Sequence, residues 1–311
     1  MEPHGRYAPS PTGPLHLGNL RTALLAWLFA RAQGARFLLR IDDLDPGRSR
    51  ERFADGQRAD LRALGLDWDD EVPASSRRGA AYARALAALE AQDLVYPCYC
   101  TRAEIREAAQ APHGPLPEGA YPGTCRSLPA ADRAAREAAG RPPALRVRAS
   151  GAVVEVEDEL AGLVTGVVDD LVVPRNDGSW AYNLAVVVDD HEQGVGQVVR
   201  GADLLDTTPR QAWLHGRLGY GPLPRYAHVP LVLGADGARL AKRHGAVTLA
   251  DRRAAGEDPR TVRGLLAASV GLCEPGEAPG TDVLLARFDP ARLPREATVL
   301  PEVGRSGAPG V

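Results

Sequence analysis

The sequence lacks the features of several special classes of protein. No apolar run approaches the roughly 18 residues that a membrane-spanning helix needs, and the start, MEPHGRYAPS, lacks the basic and apolar segments of a signal peptide. Neither positive nor negative charge predominates, because the chain has 37 Lys and Arg residues and 40 Asp and Glu residues. That balance excludes a generally basic polyanion binder, although one local basic patch remains compatible with it. We therefore expect a soluble, cytoplasmic globular protein.

Cysteine is also scarce, with only four residues in the chain of 311. A cytoplasmic protein with so few cysteines is not built on a disulfide framework. Cys98, Cys100 and Cys125 nevertheless lie close together in the sequence, whereas Cys273 is distant and is predicted to be a core residue. Three thiolates on a loop-rich segment could hold a tetrahedral structural zinc ion with one further ligand, for which His113 is the generic chemical candidate. The alternative is three free thiols.

The order of predicted elements indicates an α/β fold. A chain of this length suits two domains, or one enlarged α/β domain with an insertion. GRYAPS and FLLRI are predicted strands, and helices are expected over NLRTALLAWLFARAQG and near residues 49–64 and 77–94. Strands that alternate with helices predict a Rossmann-like, doubly wound parallel sheet.

This pattern is interrupted at Tyr96 by a cysteine-containing, Pro/Gly-rich stretch and returns near Val164. Strands with their connections are then predicted over LVVPR, WAYNLAVVVDD and GVGQVVRGADLL. A helix is predicted over TPRQAWLHGRLG, and a further buried strand over AHVPLVLG. We therefore expect one nucleotide-binding fold with its first half at 1–96, an insertion at 97–165, its second half at 166–250 and a short helical C-terminal region at 251–311.

The strongest local signal is APSPTGPLHLGN, from Ala8 to Asn19. It predicts a strand end, a stiff Pro/Gly loop and the start of a helix. The start of a helix offers unpaired backbone N–H groups and the positive end of the helix dipole, which suit a phosphate. His16 adds a donor for charge that develops on a phosphate. The alternative is an ordinary capped loop with His16 as a surface residue.

The segment RYAPSPTGPLHLGNLRTAL resembles the opening of class I glutamyl-type aminoacyl-tRNA synthetases. Its HLGN is similar to their HIGH motif, with Asn19 in place of the final His. RIDDLDPGR, AYNLAVVVDDHEQGVGQVVRGADLL and RLAKRH match the same family in the same order, so that the resemblance covers about residues 5–250. It implies catalytic roles for His16, Asn19 and Lys242, and ATP binding by Pro9, Thr12, Gly13, His16, Gly18, Asn19 and Lys242.

Glutamate carries two carboxylates and one ammonium group, so a selective pocket needs arginines and an acid. Arg6 on the first strand and Arg200 at the end of VVRGAD fit the carboxyl ends of strands, where open α/β sheets bind ligands. The resemblance assigns glutamate binding to Arg6, Ala8, Ser10, Asp42, Tyr182 and Arg200. Relatives usually have Glu at the position of Asp42, and Asp43 is its rival for the ammonium group.

The segment RLAKR looks like the KMSKS loop of class I synthetases. Lys242 matches the second lysine, which contacts ATP phosphates, whereas Arg239 and Ala241 replace the first lysine and the serine. Flanking glycines suit a loop that closes over ATP. The implied reaction is attack of a glutamate carboxylate on the α-phosphorus of ATP, with Mg²⁺ on the phosphates, so catalysis depends on positioning and charge stabilisation.

The resemblance also bears on the cysteines and on the acceptor. PCYCTRAEI…YPGTC resembles the zinc insert of short glutamyl-synthetase paralogues, in which a tyrosine, here Tyr121, joins Cys98, Cys100 and Cys125. Standard members of the family continue after the lysine loop into a large helical anticodon-binding region, which residues 251–311 cannot supply. The chain therefore resembles paralogues that activate L-glutamate without tRNA and join it to queuosine in the anticodon loop of tRNA(Asp), and we expect a monomer.

Three alternatives remain at the level of the sequence. The first is a truncated glutamyl-tRNA synthetase that charges a tRNA 3′ end. The second is a non-catalytic regulatory paralogue that binds an amino acid or a nucleotide. The third is a small-molecule adenylyltransferase with an HxGH-type loop, against which the AYNLAVVVDD and VVRGADLL matches argue.

Overall fold

The computed structural model describes residues 4–108, 120–234, 236–238, 240 and 247–300. The helices within these ranges are α1 (Leu17–Ala32), α2 (Glu51–Ala63), α3 (Gly79–Glu90), α4 (Arg102–Ala108), α5 (Ala130–Ala138), α6 (Tyr182–Glu192), α7 (Thr208–Arg217), α8 (Leu249–Ala254), α9 (Pro259–Ala268) and α10 (Thr281–Arg287). The strands are β1 (His4–Tyr7), β2 (Phe37–Arg40), β3 (Asp70–Val72), β4 (Val95–Cys98), β5 (Ala144–Val147), β6 (Ala152–Asp158), β7 (Gly162–Val168), β8 (Leu171–Val172), β9 (Val195–Gly201), β10 (Arg225–Val229), β11 (Val232–Leu233) and β12 (Thr298–Val299).

The main sheet has seven strands in the order β3-β2-β1-β9-β10-β6-β7. All of its neighbouring strands run parallel except β6 and β7, which form an antiparallel hairpin at one edge. Strands β2 and β3, which follow β1 in the chain, lie on one side of it, and the later strands β6, β7, β9 and β10 lie on the other. The strand order thus reverses between β1 and β9, which confirms the predicted doubly wound α/β fold.

Helix α1 carries the centre of the hydrophobic core, because most of its residues are apolar and buried against β1 and β9. Gly5 on β1 allows this close approach. A Cβ atom at Gly5 would lie 2.7 Å from the Cβ of Ala30, far inside van der Waals contact. Each fully buried leucine of α1 contributes about 1.5–3 kcal/mol of hydrophobic stabilisation. The helix is therefore held firmly on the sheet, together with the adjoining end of the loop at residues 8–16, which we call the phosphate-facing loop.

The segment predicted as an insertion, 97–165, divides between two sheets. Strands β4, β5 and β8 form a separate antiparallel sheet next to the cysteines. Strands β6 and β7 join the main sheet through the pairing of Tyr226 on β10 with Asp158 on β6. The small sheet extends beyond the predicted insertion at both ends, because β4 begins at residue 95 and β8 lies at residues 171–172. Those limits stay a prediction.

The prediction that WAYNLAVVVDD forms a strand is wrong, because this segment contains helix α6. Seven consecutive residues, 184–190, are buried in α6. A helix that is buried on all sides carries an unbroken apolar run, which periodicity cannot distinguish from a buried strand. Strand β9, helix α7 and the strand in AHVPLVLG are confirmed, and helix α9 lies in the C-terminal region that was predicted to be helical. None of the helices in the described ranges has the length and apolar character needed to cross a membrane.

Candidate active site

A cleft of about 640 Å³ opens at the carboxyl ends of β1, β2, β9 and β10, beside the reversal of strand order. This is where open α/β sheets bind ligands. The cleft brings together every predicted glutamate- and ATP-binding residue of the described ranges: Arg6, Ala8, Pro9, Ser10, Thr12, Gly13, His16, Gly18, Asn19, Asp42, Tyr182 and Arg200. The remaining predicted residue, Lys242, lies outside the described residues.

His16 is the N-cap of helix α1, and its ring is oriented by the helix itself. The backbone N–H of Asn19 donates to Nδ1 of His16 at 3.3 Å, so a neutral ring carries its proton on Nε2. Burial lowers the pKa of His16, and the nearby Asp203 opposes that shift. A Cβ atom at Gly18 would lie 3.0 Å from two atoms of the ring, so the glycine leaves room for this orientation. The site presents an Nε2–H donor at the positive end of α1.

The loop before α1 is held in shape by a residue that the sequence analysis missed. Nε2 of Gln57, which is 1% exposed, donates to the backbone oxygens of Ser10 and Gly13 at 3.0 and 2.9 Å. The backbone N–H of Asp42 donates to the oxygen of Pro9 at 3.0 Å. One signal could have identified Gln57, since it lies at helical spacing between the buried residues Ala54 and Leu61 of α2.

The two arginines of the predicted glutamate pocket have different partners. Nε and Nη2 of Arg6 donate to the two carboxylate oxygens of Asp190 at 3.2 and 3.1 Å. Nη1 of Arg40 donates to the same carboxylate at 2.8 Å. Burial opposes ionisation of Asp190, but Arg6 and Arg40 together hold its pKa below the ordinary value. Arg6 is therefore fixed by a charged partner of the protein.

Arg200, in contrast, is surrounded by neutral groups. Its nitrogens donate to Nε2 of His228 at 2.9 Å, Oε1 of Gln211 at 2.7 Å and Oγ1 of Thr208 at 2.9 Å. Within the part of the chain that the structure describes, no carboxylate lies within 4 Å of its guanidinium group. A buried cation is costly unless a charge of opposite sign approaches it. Arg200 thus brings an uncompensated positive charge to the cleft.

The structure separates the two neighbouring aspartates. Asp42 is buried, lines the cleft and accepts hydrogen bonds from Nε of Arg40 at 2.9 Å and Oγ of Ser75 at 2.8 Å. Asp43 is not part of the cleft lining and accepts from the backbone N–H and the hydroxyl of Ser76 at 2.7 and 2.6 Å. Of these two aspartates, Asp42 is therefore the one that lies in the cleft.

Cys98, Cys100 and Cys125 form a cluster in which the three sulfur atoms lie within 4.8 Å of one another. Oη of Tyr121 lies 3.4 Å from Sγ of Cys98 and 3.9 Å from Sγ of Cys100, and the sulfurs of Cys100 and Cys125 are 3.5 Å apart. Zinc–sulfur bonds of about 2.3 Å and a zinc–oxygen bond of about 2.0 Å place tetrahedral ligands about 3.5–3.8 Å apart. The four atoms therefore fit a zinc ion.

Three further residues concern the cysteine cluster or its prediction: Arg146, His113 and Cys273. The guanidinium group of Arg146 lies 3.6 Å above the ring of Tyr121, a cation–π contact that orients the tyrosine. His113, the generic fourth ligand, lies outside the described residues. Cys273 is half-buried against the main core, far from the cluster, as predicted.

With this geometry established, comparison with known proteins gives the family. Residues 3–268 match the family of tRNA synthetases class I (E and Q), catalytic domain. The chain belongs to this family of class I aminoacyl-tRNA synthetases, which are ligases.

Individual relatives narrow the comparison. The chain is 61% identical over 300 residues to a protein of Nocardia farcinica named glutamyl-Q tRNA(Asp) synthetase, with 96% of this chain and 94% of the relative covered. It is 52% identical over 309 residues to a protein of the same name from Symbiobacterium thermophilum, with 96% and 95% covered. Among solved structures, a glutamate tRNA ligase from Elizabethkingia meningosepticum in complex with its amino acid matches with a TM-score of 0.83 and 26% identity, covering 97% of this chain and 68% of that one.

Proposed function

We propose that the protein joins L-glutamate to ATP without tRNA, forming glutamyl-adenylate and pyrophosphate, and then transfers the glutamyl group to queuosine in the anticodon of tRNA(Asp). The observation that carries this proposal is the uncompensated Arg200 in a cleft that also contains Arg6, Asp42 and the donor of His16. The names of relatives at 61% and 52% identity support the same function.

The amino-acid end of the cleft suits the three charged groups of glutamate. Arg200 and Arg6 provide guanidinium groups for the carboxylates, and the carboxylate of Asp42 accepts from the ammonium group. Ala8 and Ser10 leave space beside the first strand, and Tyr182 packs from the start of α6. Binding of this kind places the reacting carboxylate toward the loop before α1.

The other end of the cleft suits ATP. His16 and Asn19 lie at the start of α1, and the Pro/Gly loop exposes backbone to the phosphates, with contacts expected from Pro9, Thr12, Gly13 and Gly18. Lys242 supplies a further cation. The described residues on either side of Lys242 in the chain support this role. Leu240 lines the cleft, and the backbone oxygen of Val247 accepts a hydrogen bond from the N–H of Leu17 at 2.8 Å.

The first step needs no protein nucleophile. A carboxylate oxygen of glutamate attacks the α-phosphorus of ATP, the bond to the β-phosphate oxygen breaks, and pyrophosphate leaves with Mg²⁺ on the phosphates. His16 donates through Nε2 to the charge that develops on the phosphate oxygens, and Lys242 neutralises the phosphates. In the second step a hydroxyl of the queuosine cyclopentenediol attacks the adenylate carbonyl carbon, and AMP leaves.

The cysteine cluster is proposed to hold one structural zinc ion through Cys98, Cys100, Tyr121 and Cys125. Zinc would cross-link β4 to the segment around residues 121–125 and stiffen the insertion at 97–165, without a chemical role. The division at 1–96, 97–165, 166–250 and 251–311, a cytoplasmic location and a monomeric state complete the proposal.

The test has two parts. Purified protein with Mg²⁺ should catalyse glutamate-dependent exchange between ATP and pyrophosphate in the absence of tRNA. Glutamate should then be transferred to tRNA(Asp) that carries queuosine and not to tRNA(Asp) that lacks it. Transfer to the 3′ end of unmodified tRNA(Glu) would instead support a truncated glutamyl-tRNA synthetase, and folded protein without exchange activity would support a regulatory paralogue.

A further inference from the structure

We propose that His228 is a positioning residue: a neutral imidazole that holds Arg200 in place through an acceptor nitrogen and leaves the positive charge of Arg200 available to a substrate carboxylate. The inference rests on the proposed function for the identity of the substrate. It concerns a residue outside the cleft lining, which neither the phosphate-facing loop nor the motif matches include.

The register of the sheet brings the two residues together. His228 on β10 is the direct partner of Arg200 on the parallel neighbour β9, and His228 is 3% exposed. Nε of Arg200 donates to Nε2 of His228 at 2.9 Å. On the far side of the ring, Nδ1 lies 2.6 Å from Oδ2 of Asp158, at the end of β6. The side chains thus form a buried row that runs across three strands and ends at the cleft.

Both partners select the same form of the imidazole. A carboxylate only accepts hydrogen bonds, so Nδ1 of His228 must carry a proton to bond with Asp158. A guanidinium group only donates, so Nε2 must offer a lone pair to Arg200. Asp158 is itself fixed, because it accepts from the backbone N–H groups of His228, Leu160 and Ala161. The ring is therefore held as the neutral Nδ1–H tautomer.

The surrounding charges favour the neutral ring as well. Burial lowers the pKa of His228, the bond with Asp158 acts in the opposite direction, and Arg200 and Arg6 lower the pKa further. The other groups against the ring are neutral: Oγ1 of Thr208 at 3.2 Å and the stacked ring of Tyr226. Protonation would remove the acceptor and place a second cation beside Arg200.

The contrast with Arg6 explains why an imidazole suits this position. Arg6 is fixed by the carboxylate of Asp190, which cancels its charge. A carboxylate in direct contact with Arg200 would do the same. A neutral acceptor provides orientation without neutralisation, and Asp158 is kept one ring away. Arg200 therefore keeps its full attraction for a substrate carboxylate.

Three variants test this role. His228→Gln keeps an acceptor oxygen at the position of Nε2, and His228→Leu removes it. His215→Leu is the matched control, because His215 is also a buried histidine that packs against a tyrosine, edge-on to Tyr220, but does not contact Arg200. In ATP–pyrophosphate exchange, His228→Leu should raise the KM for glutamate about tenfold, the loss of one hydrogen bond to a charged group. Its kcat and its KM for ATP should stay within about threefold, and His228→Gln should restore most of the glutamate KM.

Acid pH supplies a second readout. Burial lowers the pKa of His228, so the kcat/KM of the wild type for glutamate should fall at a pH below the ordinary titration range of histidine, whereas His228→Gln should lack that part of the decline. The comparison of the wild type with His228→Gln tests the positioning role of His228 even if His228→Leu does not fold. Equal acid profiles for wild type and His228→Gln, or an unchanged glutamate KM in His228→Leu, would overturn the inference.

A third readout does not depend on activity. The Nε–Hε signal of Arg200 in a ¹⁵N NMR spectrum, assigned with Arg200→Lys, should exchange slowly in the wild type and in His228→Gln. It should be lost or shifted in His228→Leu and unchanged in His215→Leu. If the wild type shows no glutamate-dependent exchange, the proposed function fails, but this signal still decides whether His228 holds Arg200. A signal that is identical in all variants would refute the positioning role.

Discussion

Gln57 offers a direct test of how the phosphate-facing loop is held. Gln57→Leu preserves the volume of the side chain and removes both hydrogen bonds to the backbone oxygens of Ser10 and Gly13. Each bond contributes about 1 kcal/mol, so up to about 2 kcal/mol of loop positioning is lost. If that energy is used mainly in the transition state, kcat/KM for ATP falls about tenfold to thirtyfold.

The assay is ATP–pyrophosphate exchange at varied ATP and at varied glutamate. The KM for glutamate should change less than that for ATP, because Gln57 reaches the glutamate pocket only through the backbone oxygen of Ser10 and does not contact Arg200 or Asp42. Gln92→Leu is the matched control, since Nε2 of Gln92 also donates to two backbone oxygens, at 2.9 and 3.0 Å, but outside the cleft. An unaltered kcat/KM for ATP in Gln57→Leu, or an equal loss in Gln92→Leu, would refute the reasoning.

Three further predictions concern the remaining parts of the site. Asp42→Asn should raise the KM for glutamate at least about tenfold, because the ammonium group of glutamate loses its charged partner. Asp43→Asn should leave that KM near the wild-type value. Equal effects of the two variants in steady-state exchange kinetics would contradict the assignment of Asp42 to the ammonium group. Because burial lowers the pKa of His16, kcat should fall only at a pH below the ordinary titration range of histidine, when Nδ1 becomes protonated and can no longer accept from Asn19. A pH–rate profile that already declines within or above that ordinary range would contradict this. Elemental analysis should find one zinc ion per chain. Cys125→Ser should lose the metal and melt at a lower temperature than the wild type. A wild type that contains no zinc and melts at the same temperature as Cys125→Ser would refute the zinc site.

Local patterns in the sequence were sufficient for much of the fold. The loop before α1, the apolar helix that follows and the short strands at either side are all determined by residues close together in the chain. The carboxyl ends of parallel strands meet at one edge of a sheet, so the motifs at Arg6, Asp42 and Arg200 could be expected to converge, and they line one cleft. Helix α6 was missed because burial on every side removed the periodicity on which such predictions depend.

The residues that support the site could not be predicted in the same way. Arg6 and Asp190 are 184 positions apart, and Gln57 contacts a loop 44 and 47 positions away. Nothing in the local sequence indicates such pairs, because they are created by strand order and by the position of a helix on the sheet. His228 is the clearest case: its contact with Arg200 follows from the register of β9 and β10, which only the structure reveals.

The partners of the arginines also bear on selectivity. At the amino-acid end of the cleft, Arg6 and Arg40 face the carboxylates of Asp42 and Asp190, so that these buried charges balance. Arg200 has no carboxylate in direct contact among the described residues, because the ionised Asp158 lies on the far side of the His228 ring. Glutamate carries a net charge of about −1 at neutral pH, because both carboxylates are ionised and the amine is protonated, whereas glutamine is neutral overall. A guanidinium group without a carboxylate in contact favours the anionic amino acid in a low-dielectric setting, since glutamine would leave Arg200 without a counter-ion beside it. The neutral acceptor at His228 is thus part of the discrimination, because a carboxylate in its place would pair with Arg200 directly and weaken its preference for the anionic amino acid.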